Sequence, residues 1–417
     1  MTSPAALKPA PRMGEREFVV VMALLQALQA FAIDSMLPAL GVMSQDLGVS
    51  DANQRQLVVG VFLICGGFGS LVPGALADRY GRRPVLLTCL GLYIGLTLMC
   101  ALVRDFASLL VLRGLIGFCS AGLSVLPGAI IRDRLEGDRM ARLQSLISMI
   151  FLLVPMIAPT IGQGILLVAS WRWIFGAMAL MAALVGLWVY LRLEETLKPE
   201  FRQSIHLTTI AGNMKDAVFF RPSFGYVLGP ALLMGAMFGY INSSQQLVAE
   251  HFGAGPLFPL IFGGMAMAMS VASFANSRIV ERFGARRVSH AALFVYMATA
   301  LLQLWTASSG QETIWQFVPL MALNMCLMGF IGGNFGSISL QPFARTAGAA
   351  ASVQSFVRMV MASTLGALIG QAYDNTARPI AAAMVLAAVL TLAGVLYSEK
   401  GRLFRRLNPP GAPRLDA

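Results

Sequence analysis

The chain has 417 residues, of which 57% are hydrophobic and only 12% charged, and its 31 Lys+Arg against 20 Asp+Glu give a net charge of +11. A soluble domain carries about 25% charged residues, so a string of soluble domains is excluded. Run after run reaches the ~18–20 apolar residues that cross a bilayer, and the positive charge sits in short loops facing anionic lipid rather than in a stripe that would bind nucleic acid.

Twelve membrane spans are predicted, near 18–40, 56–77, 84–103, 108–131, 143–168, 173–192, 223–247, 257–279, 289–307, 314–338, 350–372 and 379–398. Residues 1–17 form a cytoplasmic N-terminal segment. Its Arg12 and Arg16 look like the start of a signal peptide, but the apolar run that follows exceeds the ~7–15-residue core of such peptides, so it stays as the first span. Residues 18–192 make one six-helix bundle, 193–222 a polar cytoplasmic linker, 223–398 a second six-helix bundle and 399–417 a cytoplasmic tail. With both termini inside, the inner segments hold 25 Lys+Arg and the outer loops only Arg55, Arg104, Arg172 and Arg378, a positive-inside pattern. The expected class is an all-α integral membrane protein.

Span one contains QAFAIDSMLPAL at 29–40, and Asp34 in it is the only acid inside any span. A charge at that depth costs at least ~2.5–3.5 kcal/mol on insertion scales. Arg113, in the fourth span, lies at a matching depth, so the two can pair if their helices touch. A structural pin between two helices and a proton site both fit. A carboxyl that alternates between an apolar setting and an arginine neighbour loads and drops a proton. Arg358 lies near the middle of span eleven, too deep to reach the surface comfortably, and is expected to meet an anionic or accepting part of a cargo molecule, Asp34 across a cavity, or backbone carbonyls. Gln26 and Gln29 on span one, Tyr240, Asn242, Gln245 and Gln246 on span seven and Asn334 on span ten are candidates for a polar cavity lining, or for hydrogen bonds between helices. The 24 methionines, including the run GGMAMAMS at 263–270, suit either an adaptable cavity or lipid-facing filler. Gly329, Gly333 and Gly336 read as a close-packing set.

The halves echo each other. FAIDS at 31–35 aligns with GYINS at 239–243, LADRYGRRP at 76–84 with IVERFGARRV at 279–288, GFCSAG at 117–122 with GFIGGN at 329–334, and APTIG at 158–162 with ASTLG at 362–366. A duplicated unit with its site at the repeat interface is the usual build of a secondary transporter. Opposite Asp34 stands Asn242, and opposite Arg113 stands Met325, so the charges look like chemistry added to a scaffold. In GALADRYGRRP at 74–84, Gly74 and Gly81 allow approach and turning, and Arg79, Arg82 and Arg83 anchor at headgroups. Asp78 is placed to cap a helix N-terminus or to join a charged latch. Cys65, Cys89, Cys100, Cys119 and Cys326 all fall in spans without a CxxC pair and read as filler. No His/Cys/acid cluster suggests a metal, and no GxxxxGK[ST] loop suggests ATP.

These motifs resemble the major facilitator superfamily, and within it the drug/proton antiporters of the bicyclomycin-resistance type. The likeness is clear over 31–175. It implies two pseudo-symmetric bundles around a central cavity. It also implies an inner interdomain latch from Asp78, Arg79, Arg82 and Arg83, proton coupling at Asp34 and Arg113, and a fifth-helix motif at Pro155, Pro159 and Gly162. Gln163 stands where that motif has a second glycine, and Gln26 where some relatives have a second acid. The resemblance implies a non-enzymatic, proton-coupled exporter of a small amphiphilic drug-like compound, monomeric in a bacterial-type inner membrane, with the proton gradient and no cofactor. An exporter or symporter of an endogenous, anionic metabolite is the alternative.

Overall fold

The structure, a computed structural model, describes residues 13–51, 53–134, 147, 153–197, 200, 220–343 and 347–405. The expected start of span five, most of the 193–222 linker and the end of the tail lie outside the described residues. Every regular element among the described residues is helical. In the first half these are α1 (Glu15–Asp34), α2 (Leu40–Asp46), α3 (Leu57–Gly69), α4 (Val72–Tyr80), α5 (Arg82–Leu102), α6 (Phe106–Arg134), α7 (Val154–Val168) and α8 (Arg172–Arg192). The second half supplies α9 (Arg221–Gln245), α10 (Phe258–Phe283), α11 (Ala285–Ser308), α12 (Ile314–Leu340), α13 (Ala347–Gln371) and α14 (Arg378–Ser398). Among the described residues, 10 helices are long and apolar enough to cross a membrane, counting α1 with α2 as one, and α3 with α4, bent by 41°, makes an eleventh. The shorter apolar α7 follows residues outside the described set. This is a multi-pass membrane protein.

Proline sets both interruptions. Pro38 lies in the 3-10 turn Leu37–Ala39 that separates α1 from α2, and Pro73 sits in the first turn of α4. Lacking an N–H, proline cannot extend the preceding helical ladder but fits the first turn of the next helix. Trp173 and Trp315, at the starts of α8 and α12, and Trp305, near the end of α11, stand 66–82% exposed at one end of the molecule, as indoles do at a membrane interface. We call this the arginine-poor end. The opposite, arginine-rich end carries residues 78–83, 132–134, 192–195 and 282–287.

The two halves use the same packing scheme. In the first, α3 packs on α6, α5 on α6 and α8, and α1 on α6, α7 and α8. In the second, α10 packs on α12, α11 on α12 and α14, and α9 on α12, α13 and α14, which is the first scheme shifted by one repeat. The halves meet mainly through α3 on α13 and α7 on α10, a pair of contacts that the repeat also exchanges.

The repeated sequence patches mark the tightest points of this scheme. A side chain at Gly117 would run into the backbone carbonyl of Phe62, and one at Gly329 would come within 2.8 Å of the Met269 carbonyl. Likewise a side chain at Gly162 would overlap the Ser35 carbonyl, and one at Gly366 would overlap Phe238. The turns into α5 and α11 both use a positive-φ glycine, Gly81 at 106° and Gly284 at 86°, a conformation that L side chains rarely adopt. The expected set of Gly329, Gly333 and Gly336 is corrected. Only Gly329 is in close contact, and nothing lies within 4 Å of a side chain built at the other two, although all three share one helix face.

Overpacking against backbone costs about 1–3 kcal/mol. Gly117→Ala and Gly162→Ala are therefore expected to lower the thermal unfolding temperature of the purified protein in detergent. Gly91→Ala and Gly95→Ala, which have open space around them, should leave it unchanged.

Candidate functional site

Asp34 is the last residue of α1 and 6% exposed. α1 ends at Asp34, so its last carbonyls lack their normal helical partners. One of these, Ala32 O, accepts a hydrogen bond from Arg113 Nη2 at 3.1 Å, while Arg113 Nε donates to Val58 O at 3.1 Å. The guanidinium is fully buried and lies 4.4 Å from the centroid of the Phe62 ring. The two helices do touch, as pairing requires, but Arg113 binds the backbone two residues before Asp34 rather than its carboxylate. Among the described residues Asp34 has no ion pair and no side-chain hydrogen bond, and Arg113 Nη1 is buried without a partner. A buried acid and a buried cation thus sit on adjoining segments, each with unused capacity. Gly162 of the fifth-helix motif packs on the Ser35 carbonyl beside them, and Pro159 lies inside α7 while Pro155 opens it.

At the arginine-poor end the halves are locked together. Arg55 Nη2 meets Glu250 Oε2 at 2.5 Å. Gln56 donates to Gln246, which in turn donates to Asn53 Oδ1 at 3.2 Å. Asn53 Nδ2 reaches the carbonyls of Gln371 at 3.2 Å and Tyr373 at 2.8 Å, and Gln371 Nε2 returns a bond to Asn53 O at 2.8 Å. Gln246 begins a π-helical turn, Gln246–His251, that carries Glu250 to Arg55. None of Asn53, Arg55, Gln56, Glu250 and Gln371 stood out in the sequence as a functional set. Their partners are 190 or more residues away, and only the rarity of outer-loop arginines hinted at Arg55.

At the arginine-rich end the motif residues partner within their own half. Arg82 holds Asp78 at 2.5 Å and Asp133 at 3.0 Å. Arg83 Nη2 donates to Tyr190 O at 2.7 Å, and Arg79 lies over the Tyr80 ring. The expected helix cap is Glu195 rather than Asp78, since its carboxylate accepts from the backbone N–H groups of Arg82 at 2.9 Å and Arg83 at 3.1 Å. The second half repeats the device, with Arg286 on Glu399 at 2.7 Å. Burial works against the charge of Glu399, but hydrogen bonds from Tyr226 and Arg286 outweigh it and hold the carboxyl below its usual range. Among the described residues the expected interdomain latch is not formed in this conformation: Asp78, Arg82 and Arg83 close on their own bundle.

A cavity of about 220 Å³ opens among the helices of the second half, lined by Met234, Met237, Met269, Met328 and Arg358 together with Pro230 and its neighbours. Arg358 Nη2 has Ser355 Oγ at 3.1 Å as its contact. Of the expected cavity residues, Arg358 alone lines it. Gln246 belongs to the lock. Tyr240 is buried among Phe262 and Phe317 with its hydroxyl unpartnered, and the amide atoms of buried Asn242 lack partners too. Gln26 is half-buried on α1. Asn334 pairs with Asn276 through bonds of 2.9 and 3.3 Å, which makes it a packing residue between α10 and α12. Gly74 lies on α4, 3.8 Å from Val125 when given a side chain. The four cavity methionines were legible only in part, since Met269 alone belongs to the GGMAMAMS run.

A family model described as the Major Facilitator Superfamily matches residues 22–371, and the chain belongs to that family of transporters. Among its curated relatives, an uncharacterised MFS-type transporter of Bacillus subtilis is 29% identical over 89% of this chain and 92% of the relative. A bicyclomycin resistance protein homolog of Haemophilus influenzae is 27% identical over 93% and 98%, and a multidrug resistance protein MdtL of Klebsiella pneumoniae 29% identical over 86% and 90%. Among solved structures, a D-xylose-proton symporter superposes with a TM-score of 0.71 at 14% identity, covering 92% of this chain and 98% of that one. That likeness concerns the fold. The family expected from residues 31–175 is thereby borne out, with a bicyclomycin-resistance homolog among the relatives.

A partly exposed ion pair contributes up to about 1 kcal/mol. Glu250→Gln is expected to shift the balance at the arginine-poor end toward open by roughly fivefold. Distances between spin labels on the 48–52 and 374–377 segments would report it, and the swap Arg55→Glu with Glu250→Arg should restore the closed population.

Proposed function

We propose that this chain is a proton-coupled antiporter that exports a small amphiphilic compound by alternating access. The observation that carries this reading is the buried, unpaired Asp34 beside an Arg113 that still has a free Nη1. A carboxyl that meets the guanidinium in one conformation and apolar neighbours in the other binds and releases a proton as the protein cycles. The excess of arginine at one end supports placing that end, with both termini, in the cytoplasm of a bacterial-type inner membrane. On that orientation the lock at Arg55 and Glu250 closes the outer side, and the conformation described is inward-facing.

The energetics are sufficient. One charge crossing 100 mV supplies ~2.3 kcal/mol, or roughly fortyfold of cargo gradient at ~1.4 kcal/mol per tenfold. Flexible thioethers around the cavity suit cargoes of several shapes, and relatives named for bicyclomycin and multidrug resistance support a drug-like one. In proteoliposomes with an imposed pH gradient, Asp34→Asn should abolish transport of bicyclomycin, or of whichever amphiphile a drug panel identifies, while binding stays within about threefold. Undiminished pumping by that variant would overturn the coupling assignment.

Arg358 favours a second reading of the cargo, as an anionic or acceptor-bearing metabolite. Loss of a charge-assisted contact costs about 1.5–3 kcal/mol, so Arg358→Ala should weaken an anionic cargo by at least tenfold and a neutral one far less. Drug susceptibility of a sensitive host expressing the protein separates the two readings, because a dedicated metabolite exporter leaves it unaltered.

A further inference from the structure

Arg113 is held by two carbonyls and by a ring. Nε donates to Val58 O and Nη2 to Ala32 O, each at 3.1 Å, and the guanidinium carbon lies 4.4 Å from the centroid of Phe62. Arg113 and Phe62 are both fully buried. The negative face of an aromatic ring attracts a cation most strongly where water is excluded. Such a contact holds a charge without neutralising it.

The repeat shows that the scaffold does not need a ring there. Gly117 of α6 packs on the Phe62 carbonyl, and its counterpart Gly329 of α12 packs on the Met269 carbonyl. Met269 thus holds in the second half the place of Phe62 in the first. Where Met325 stands for Arg113, a thioether also stands for the ring. The aromatic face belongs to the half that carries Asp34 and Arg113, as a third member of the same set would. The other titratable groups on the helices packed against α6 do not replace it. From α5, Tyr93 and Cys100 are near enough to feel the charge of Arg113, but Tyr93 gives its hydroxyl to Leu28 O at 3.4 Å. From α3, Cys65 packs on Gly114. The charges of α4, Asp78 and Arg79, lie at the arginine-rich end. From α1 comes Asp34, two residues beyond the carbonyl that Arg113 binds.

We propose that Phe62 is a positioning residue for proton coupling: its ring holds the guanidinium on the Ala32 and Val58 carbonyls and so keeps Arg113 from neutralising Asp34 in this conformation. The inference rests on the reading of Asp34 as the coupling acid. Without the ring, the carbonyl-bound arrangement loses roughly tenfold of its advantage, and the guanidinium pairs with Asp34 more often. A counter-charge favours the ionised carboxylate. Loading the proton then requires a lower pH.

The test is a pH titration of the full chain in lipid, and it needs no cargo. It follows the infrared C=O band of a protonated carboxyl that Asp34→Asn removes. Phe62→Met, which installs the residue type the second half uses, should lower the midpoint of that band by about one pH unit, the equivalent of tenfold. Phe62→Tyr keeps the ring and should leave the midpoint in place. A trifluorinated phenylalanine at position 62 keeps the shape but weakens the negative face, so it should lower the midpoint even if Phe62→Met fails to fold. A ring with a packing role alone would change the unfolding temperature and not the midpoint. A midpoint unmoved by the trifluorinated ring, or by a folded Phe62→Met, would overturn the proposal and leave the coupling reading intact. Absence of any band that depends on Asp34 would overturn the coupling reading and the proposal with it.

Discussion

A guanidinium buried in the lipid-spanning part of a protein must find acceptors, and much of the first half is arranged around how Arg113 finds them. α1 ends at Asp34, which leaves the Ala32 carbonyl without its helical donor, and Arg113 takes it together with Val58 O and the face of Phe62. That solution uses Nε and Nη2 of the arginine but not the nearby acid. An ionised carboxylate in such a setting costs several kcal/mol unless a proton or a counter-charge is supplied. The result is an acid left without an ion partner among the described residues, beside a cation with one nitrogen unused.

The second half shows what the scaffold needs without that chemistry. Its helices follow the same packing scheme, its glycines meet backbone or side chains at the equivalent points, and its turn into α11 uses the same positive φ. Asn242 stands where the first half has Asp34 and Met325 where it has Arg113. The fold therefore tolerates a neutral amide and a thioether at those places. The arginine networks at the ends of α5 and α11 are by contrast kept in both halves, with Glu195 and Glu399 each engaging the arginines that open the following helix. Features shared by the halves belong to the architecture, and the buried charges confined to one of them are additions to it.

The apolar spans, the echoes between the halves and, of the expected glycine set, Gly329 were legible in the sequence because each has a local cause. Apolar length, charge in short loops, and a glycine at a point of backbone contact can all be read within about twenty residues. The matched depth of Asp34 and Arg113 was legible for the same reason, but that their helices touch was not, because that contact joins segments 81 residues apart. Which side of an apolar helix faces a cavity was not. Met234, Met237 and Met328 look the same in sequence whether they face lipid or Arg358, and Asn334 looks the same whether it lines a cavity or pairs with Asn276. The lock was invisible because Arg55 and Glu250 are 195 residues apart and each is unremarkable alone.

The two ends of the molecule also differ in what an opening would break. At the arginine-poor end the halves share an ion pair and a run of amide hydrogen bonds centred on Asn53, Gln56, Gln246 and Gln371. At the arginine-rich end Arg82, Arg83, Arg286 and Arg287 find partners inside their own halves among the described residues. Rocking about the α3–α13 and α7–α10 contacts would expose the first set to water, which recovers much of each hydrogen bond, since the net contribution of one is only about 0.5–1.5 kcal/mol. Apolar contacts near the pivot, such as Phe68 against Phe356 at 6.1 Å, have no such compensation. The halves therefore separate at little cost where they are joined by polar groups and stay together where they are joined by apolar ones. A two-state carrier requires that distribution, because its conformations must differ by no more than a few kcal/mol for a cargo or a proton to choose between them.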